Sequence, residues 1–284
     1  MSQTGTPAVV PRGSFGETYI VGPKTQHTHT AILLHGRGSD GAEFADELFS
    51  TRISDGSTFP QKLPGWKWVF PSSQRLWSTT FQEEIPAWFE AHSLTDIAVR
   101  QDLQISGLRG SAEHVGNIVD QEIASLKGGK DNVIIIGISQ GAATGLWTLL
   151  SSSSLSAKVG AFIGASSWLP FADDLKYNFS QISRTGEVDS SSATNGVALI
   201  QVVSPVRSSS LNATPVFLGH GIDDAYVDVE LGRQARDALT SIGLEVEWKE
   251  YEGAEQEGHW FKEPEEIDDI FQFIQRVILN AKAL

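Results

Sequence analysis

The sequence predicts an α/β fold, a doubly wound and mostly parallel sheet with helices on both faces. Three observations predict it. Strand-like and helix-like segments alternate along the 284 residues, the pattern of repeated β-α-β units with right-handed crossovers. Several strand-like segments are continuously apolar, as in a parallel sheet that is covered on both faces. A glycine-flanked serine at residues 137–141 joins one of these strands directly to a helix.

Seven segments are predicted as strands because they are short and rich in apolar, β-branched or aromatic residues. They are Thr18–Val21, Thr30–Leu34, Trp66–Phe70, Asn132–Ile136, Lys158–Ile163, Thr214–Leu218 and Glu245–Tyr251. Five longer segments are predicted as helices: Ala42–Arg52, Ser111–Leu126, Gln140–Leu150, Glu230–Ile242 and Pro264–Leu279. Pro264 suits a first helical position, where its missing N–H breaks no hydrogen bond.

The segment from about residue 173 to residue 212 interrupts this alternation, because it is polar and rich in serine. A long loop inside a compact domain is usually a lid or a surface insertion, and both interpretations stay open. Within it, Ala198–Val203 is apolar and β-branched, which favours an extra strand. Residues 1–15 are predicted to form a flexible N-terminus without the features of a secretory signal. The whole chain, 1–284, is predicted to be a single domain.

Composition excludes several classes of function. The formal net charge of −14 argues against nucleic acid and anionic membrane surfaces as partners, since both need a basic face. No run approaches the roughly 18 apolar residues of a membrane span, so stable membrane insertion is not expected. The chain has no cysteine, which excludes disulfides and thiolate chemistry and is typical of a cytoplasmic protein. The histidines are scattered and no H-E-x-x-H occurs, so neither a metal nor another cofactor is predicted.

The segment 137–141, Gly-Ile-Ser-Gln-Gly, fits G-x-S-x-G and makes Ser139 the candidate nucleophile. Such a serine lies on a sharp strand-to-helix turn that exposes its hydroxyl above the sheet. A bare G-x-S-x-G also occurs in ordinary turns. Here a strand-like run precedes it and a helix-like run follows it, which favours the catalytic interpretation.

A serine hydroxyl needs a base to take its proton and an acid to orient that base. In α/β-hydrolases the partners follow in the order serine, acid, histidine. Only His220 and His259 follow Ser139, and His259 lies after the predicted acid loop, so it is the candidate base. His220 is then interpreted as structural, holding that loop by hydrogen bonds. The acid is Asp223 or Asp224, and composition does not choose between them.

A glycine-rich loop at residues 34–41 follows the first apolar strand and is predicted to complete an oxyanion hole. The other donor is the backbone N–H of Gln140. Gly36, Gly38 and Gly41 also fit G-x-G-x-x-G, a dinucleotide-binding pattern. That alternative needs an acidic residue near the end of the next strand, and residues 69–73 contain none.

Four blocks of the sequence are L-H-G-R-G-S-D-G at 34–41, G-I-S-Q-G-A-A at 137–143, G-H-G-I-D-D at 219–224 and G-H-W at 258–260, and three further blocks lie at 86–90, 107–111 and 166–170. Together they resemble the phospholipase/carboxylesterase family of α/β-hydrolases, which includes acyl-protein thioesterases, and the Gly-His-Trp form looks like fungal members. The resemblance implies an α/β-hydrolase fold. Its acid pattern H-G-x-x-D-x-x-V implies Asp224, and its first oxyanion donor implies the backbone N–H of Arg37. The segment 173–212 is longer than the family's usual connection.

The resemblance implies a serine carboxylesterase or acyl-protein thioesterase that acts on a small-molecule or acyl-protein substrate. Trp88, Trp168 and Trp260 are candidates for the walls of an acyl pocket, with ordinary core packing as the alternative. A lysophospholipase or an acyltransferase on the same site, and a catalytically idle binding module, are the alternative functions. The oligomeric state stays open, a homodimer included.

Overall fold

The computed structural model describes residues 13–93, 95–151, 159–185 and 214–279. Its strands are β1 Tyr19–Val21, β2 His29–Leu34, β3 Trp66–Phe70, β4 Gln74–Ser78, β5 Glu83–Ala87, β6 Val133–Ile138, β7 Ala161–Ala165, β8 Val216–Gly221 and β9 Val246–Tyr251. Its α-helices are α1 Gly41–Ser50, α2 Phe59–Lys62, α3 Gln104–Ser125, α4 Gln140–Ser151, α5 Ala172–Thr185, α6 Val229–Ser241 and α7 Glu265–Ile274. Short 3₁₀ turns lie at Gln101–Leu103 and Gly129–Asn132, and a π-helical turn, Gln275–Leu279, follows α7.

Seven strands form one sheet in the order β1-β3-β2-β6-β7-β8-β9. Among the described strands of this sheet, only β1 pairs antiparallel, and the other pairs are parallel. From β2 and β6 at the centre the chain runs outward to β3 on one side and to β7, β8 and β9 on the other, with β1 at the edge. The predicted doubly wound, mostly parallel sheet is therefore confirmed.

The apolar core lies in two layers, one on each face of the sheet. Side chains along a strand alternate between faces, and β6 shows this directly. Ile135 belongs to the layer that contains side chains of α3, α4 and α6, whereas Ile134 and Ile136 belong to the layer that contains side chains of α1 and α7. Strands β2, β6, β7 and β8 are buried along their whole length because both faces are covered.

Parallel pairing brings the carboxyl ends of the central strands to one edge of the sheet. Leu34 is opposite Gly137, and Ala165 is opposite both Ile138 and Gly219. The loops that carry the candidate site residues therefore emerge side by side, as is usual for ligand sites in open α/β sheets.

The structure corrects several predicted elements. Helix α3 begins at Gln104, seven residues before the predicted start at Ser111. Gly107 lies within that early part, where a Cβ would come within 2.7 Å of Phe89 Cα, so helix and loop pack too closely for a larger residue. The antiparallel hairpin of β4 and β5 was not predicted, because both strands are partly exposed and neither contains a continuous apolar run.

The predicted polar interruption from about residue 173 is wrong at its start. Residues 172–185 form α5, and Leu175 on this helix is fully buried. Leu175, Phe179 and Ile182 recur at helical spacing, a signal that the polar, serine-rich composition of the wider segment obscures. The remainder of the interruption, with the predicted strand Ala198–Val203, lies outside the described residues, as do residues 1–12.

In the part of the chain that the structure describes, no helix combines the length and the hydropathy needed to cross a bilayer.

A buried acid lies where α7 meets β8. Glu266 is 2% exposed, and its Oε2 accepts a hydrogen bond from the backbone N–H of Lys262 at 2.9 Å. Its Oε1 has no hydrogen-bond partner among the described residues and lies against Gly219, where a Cβ would collide with it. Burial raises the pKa of Glu266 from 4.5 to about 8, with a smaller contribution from Asp269.

We therefore expect Glu266→Gln to flatten the pH dependence of stability. Between about pH 4.5 and 8 the folded wild-type protein keeps a proton that the unfolded chain has lost, so its stability falls as pH rises through this window. Each pH unit costs about 1.4 kcal/mol there, whereas the glutamine variant has no proton to lose. Thermal unfolding from pH 5 to 9 measures this. The melting temperature of the variant should rise relative to that of the wild type as the pH approaches 9. Glu265→Gln, an exposed neighbour, is the control, and parallel curves for wild type and Glu266→Gln would contradict the expectation.

Candidate active site

Ser139 lies on the sharp turn between β6 and α4, as predicted. Its φ is 53°, in the left-handed region that a serine adopts at a cost of about 1–3 kcal/mol. Two hydrogen bonds hold the turn. The Ser139 N–H donates to Ala165 O at 2.9 Å, and the Ser167 hydroxyl donates to Ser139 O at 2.9 Å. The residue is thus fixed between two neighbouring strand ends.

The two glycines of the G-x-S-x-G segment are needed because the turn is crowded. A Cβ on Gly137 would lie 2.6 Å from the backbone N of Ala142. A Cβ on Gly141 would collide with the carbonyl oxygens of Leu34 and His35. The segment therefore packs directly against the loop that follows β2.

Asp224 and His259 are brought together by two loops that are far apart in the chain. His259 Nδ1 lies 2.8 Å from Asp224 Oδ2, and the other carboxylate oxygen accepts from the backbone N–H groups of Tyr226 at 2.8 Å and Val227 at 2.9 Å. Burial by itself raises the pKa of Asp224, but the hydrogen bonds from His220, His259 and Val227 outweigh it. The pKa of Asp224 therefore lies well below its usual value, and the carboxylate stays ionised at neutral pH.

The adjacent Asp223 has a different environment. It is exposed, and its Oδ2 accepts a hydrogen bond from the backbone N–H of Gly253 at 2.9 Å. This contact fastens the acid loop to the loop after β9. The geometry thus separates the two aspartates that the residues alone left open, and it orients Asp224 towards His259.

His220 lies at the end of β8 and is 1% exposed. Its Nε2 is 2.9 Å from Val227 O and 3.4 Å from Asp224 Oδ2. It therefore ties the two ends of the acid loop together, in keeping with the structural role predicted for it.

The glycine-rich loop after β2 lies beside the serine. A Cβ on Gly36 would be only 3.5 Å from Ser139 Cβ, so Gly36 brings its backbone close to the hydroxyl. Gln140 is the first residue of α4, where a backbone N–H has no partner within the helix. The side-chain amide of Gln140 binds the segment after β5. Its Oε1 accepts a hydrogen bond from Trp88 N at 2.9 Å, and its Nε2 donates one to Phe89 O at 2.8 Å.

The Arg37 side chain is half-buried and makes two contacts. Its Nη1 donates to Ala91 O at 3.0 Å, and its guanidinium lies 5.2 Å from the centre of the Phe81 ring. Burial lowers its pKa from the usual value, partly offset by Glu90. The side chain is thus held by the Ala91 carbonyl and the Phe81 ring.

A cavity of about 650 Å³ opens onto Ser139 and His259. Its apolar walls come from α1, the β4–β5 hairpin, the end of β6 and the two loops of the acid and the base: Phe44, Phe81, Ile85, Ile138, Tyr226 and Trp260. Most of these were not singled out from the sequence, because they belong to elements distant in the chain and carry no motif.

The prediction that three tryptophans line the pocket needs correction. Trp260 lines the cavity as predicted, but Trp88 and Trp168 are 0% and 1% exposed and lie in the core. The Trp88 indole N–H donates to His35 O at 2.8 Å, and the Trp168 ring packs edge-on against Phe89. Both support the site from behind and do not line it.

Within the described ranges, no group of three or more histidine, aspartate or glutamate side chains is arranged to hold a metal ion. The described cluster of Ser139, His259 and ionised Asp224 is instead suited to acyl transfer, in which a histidine shuttles one proton.

Comparison with known proteins agrees with this chemistry. The profile of the phospholipase/carboxylesterase family matches residues 16–190. The chain belongs to this family. The profile of the prolyl oligopeptidase family also matches, over residues 118–281, a stretch that contains Ser139, Asp224 and His259.

Similar proteins match this chain along most of its length. Acyl-protein thioesterase 1 of Gibberella zeae is 28% identical over 258 residues, which cover 89% of this chain and 92% of the relative. Acyl-protein thioesterase 1 of Yarrowia lipolytica is 27% identical over 90% of this chain and 94% of its own length. The crystal structure of Zea mays acyl-protein thioesterase 2 superimposes with a TM-score of 0.69 at 26% identity, covering 93% of this chain and 99% of the other. The predicted α/β-hydrolase fold is thereby confirmed.

Proposed function

We propose that Ser139, His259 and Asp224 hydrolyse carboxylic esters or thioesters through an acyl-enzyme on Ser139. Family membership makes the chain a hydrolase of this class. The single observation that carries the residue assignment is the 2.8 Å contact between Asp224 Oδ2 and His259 Nδ1 at a cavity that Ser139 also lines. An ionised acid, an oriented imidazole and a strained serine are the parts that acyl transfer requires.

In the first half-reaction, the Ser139 hydroxyl attacks the carbonyl carbon while His259 Nε2 accepts its proton. Asp224 keeps the other proton of the imidazole on Nδ1 and stabilises the imidazolium that forms. The backbone N–H groups of Arg37 and Gln140 donate to the oxyanion. The imidazolium then protonates the leaving alcohol or thiol as its bond to the carbonyl carbon breaks.

In the second half-reaction, water replaces the leaving group. His259 takes a proton from the water as its oxygen attacks the acyl-enzyme, and the same oxyanion donors stabilise the new intermediate. The imidazolium returns the proton to Ser139 as the carboxylic acid leaves. The serine, the histidine and the aspartate end the cycle unchanged.

The acyl group is proposed to occupy the apolar part of the cavity, between Phe44, Ile138 and Trp260. Aromatic and aliphatic walls suit an acyl chain. Since the relatives are named acyl-protein thioesterases, S-acylated proteins are the first candidate substrates, and small esters the second. Lysophospholipids stay a further candidate on the same site.

Labelling with a fluorophosphonate probe tests the proposal. We expect one probe per chain, attached to Ser139 in a peptide map, and loss of labelling after preincubation with a substrate analogue. A panel of p-nitrophenyl esters and matched thioesters, from two to sixteen acyl carbons, then defines the chain length and the leaving group. Adding an alcohol acceptor distinguishes hydrolysis from acyl transfer by its products. Absence of labelling in folded protein would contradict the proposal and favour an idle binding module.

We further propose that residues 1–284 act as one hydrolase domain, since one core layer draws on elements from β2 to β9 and the other on elements from β1 to α7. A cytoplasmic location stays a prediction from the cysteine-free composition.

A further inference from the structure

Three consecutive peptide groups of the loop after β2 are each held by one hydrogen bond. The carbonyl of His35 accepts from the Trp88 indole N–H at 2.8 Å. The carbonyl of Gly36 is 2.6 Å from His35 Nδ1. The N–H of Gly38 donates to Pro86 O at 2.8 Å. The middle peptide of the three joins Gly36 to Arg37, so it carries the Arg37 N–H proposed above as an oxyanion donor.

The tautomer of His35 follows from its partners. The backbone N–H of Ser73 points at His35 Nε2 over 3.0 Å, and a backbone amide can only donate. Nε2 is therefore the acceptor and carries no proton. Nδ1 then bears the single proton of a neutral imidazole and donates it to the Gly36 carbonyl.

A trans peptide is planar, and its carbonyl and N–H point in opposite directions. Fixing the oxygen of the Gly36–Arg37 peptide on one side therefore fixes the direction of the Arg37 N–H on the other. Gly36 itself lies close to Ser139, as the 3.5 Å approach of its missing Cβ shows. The imidazole thus holds the carbonyl end of a peptide that begins at a residue lying beside the serine.

We propose that His35 is a positioning residue for the oxyanion hole, acting through the Gly36 carbonyl to aim the Arg37 N–H. This inference rests on the proposed function, because it needs Ser139 and the Arg37 N–H to take part in acyl transfer. It assigns a task to a histidine that touches no substrate.

The surroundings of His35 suit that task. The residue is completely buried, and its ring lies 5.0 Å from the Trp88 ring. Burial lowers the pKa of His35 to about 4. The ring therefore stays neutral at neutral pH, and it keeps one donor and one acceptor for its two backbone partners.

Two amide variants separate the two nitrogens of the ring. In His35→Asn the side-chain amide reaches the place of Nδ1, so the donor to the Gly36 carbonyl is kept and the acceptor for Ser73 is lost. In His35→Gln the amide reaches the place of Nε2, so the acceptor is kept and the donor is lost. His114→Gln, the same chemical change on α3 away from the cavity, is the control for the loss of an imidazole.

We expect His35→Gln to lower kcat for p-nitrophenyl butyrate by about 10- to 100-fold with KM nearly unchanged. Removing an oxyanion donor outright costs roughly 10²–10³ in kcat, and a misdirected donor is a smaller loss. His35→Asn should stay within about threefold of wild type and His114→Gln equal to it. Affinity for a trifluoromethyl ketone, which forms a tetrahedral adduct, should fall in parallel with kcat in His35→Gln.

Equal losses in His35→Asn and His35→Gln that follow their melting temperatures would overturn the proposal and leave His35 a packing residue. So would a kcat in folded His35→Gln within twofold of wild type. If Ser139→Ala were fully active, the proposed function would fail first, and the two failures are thereby distinguishable. Should His35→Gln not fold, ¹⁵N chemical shifts of histidine in the wild-type protein still decide, since a proton on Nε2 of His35 contradicts the inference.

Discussion

Ser139→Ala is expected to lower kcat for p-nitrophenyl butyrate by roughly 10⁴- to 10⁶-fold, as loss of a nucleophile does in enzymes of this mechanism. Without the hydroxyl no acyl-enzyme forms, and His259 and Asp224 have nothing to activate. The remaining rate comes from the oxyanion donors and from substrate binding, which the substitution leaves in place. Alanine also has less to accommodate in the turn than serine, so we expect the fold to be kept.

Steady-state kinetics and probe labelling measure this effect together. Ser125→Ala, at the end of α3, is the matched control and should match the wild type in both assays. Binding of a non-hydrolysable substrate analogue should stay within a few-fold of wild type in Ser139→Ala. A variant that keeps wild-type turnover would show that another group attacks the carbonyl, and the assignment of Ser139 would then be wrong.

Asp224→Asn is expected to reduce kcat by roughly 10³- to 10⁴-fold with the fold intact. An asparagine at this position keeps its carbonyl for the N–H groups of Tyr226 and Val227, so its amide nitrogen faces His259 Nδ1. That nitrogen can only donate, which forces the imidazole into the tautomer with its proton on Nε2. His259 then cannot accept the proton of Ser139.

Asp223→Asn is the paired control, because it makes the same chemical change one residue away. Its side-chain carbonyl still accepts from Gly253 N–H, and no contact with His259 is lost. We expect kcat within about threefold of wild type. Melting temperatures of both variants show that neither is unfolded. A collapsed rate in Asp223→Asn with a normal rate in Asp224→Asn would reverse the assignment of the acid.

The positions of several strands were predictable because local patterns of apolar residues mark them. Strands buried on both faces must be apolar throughout, and the runs in β2, β3 and β6 were found to within two residues at either end. Elements with one face in solvent gave weaker signals. Strand β4 alternates exposed and half-buried residues and β5 is mostly half-buried, while α5 lies at the start of a polar, serine-rich stretch, so both were missed.

Aromatic residues show the same limit. Trp88, Trp168 and Trp260 lie next to motif loops and were equal candidates for the cavity wall. Only Trp260 lines the cavity, because the Trp88 indole turns inward to the His35 carbonyl and Trp168 packs on Phe89. The direction of a large side chain depends on partners that are distant in the chain, and no local pattern records them.

The sequence by itself determined the fold class, the family and the candidates for nucleophile and base, because each depends on residue type and order along the chain, and the family's pattern added Asp224 as the candidate acid. The tertiary structure decided how Asp223 and Asp224 are oriented, which walls enclose the serine and how His35 holds the Gly36 carbonyl. The contact between Asp224 and His259 spans 35 positions of the chain, and the contact between His35 and Ser73 spans 38. Such contacts form only once the sheet has brought its strand ends to one edge.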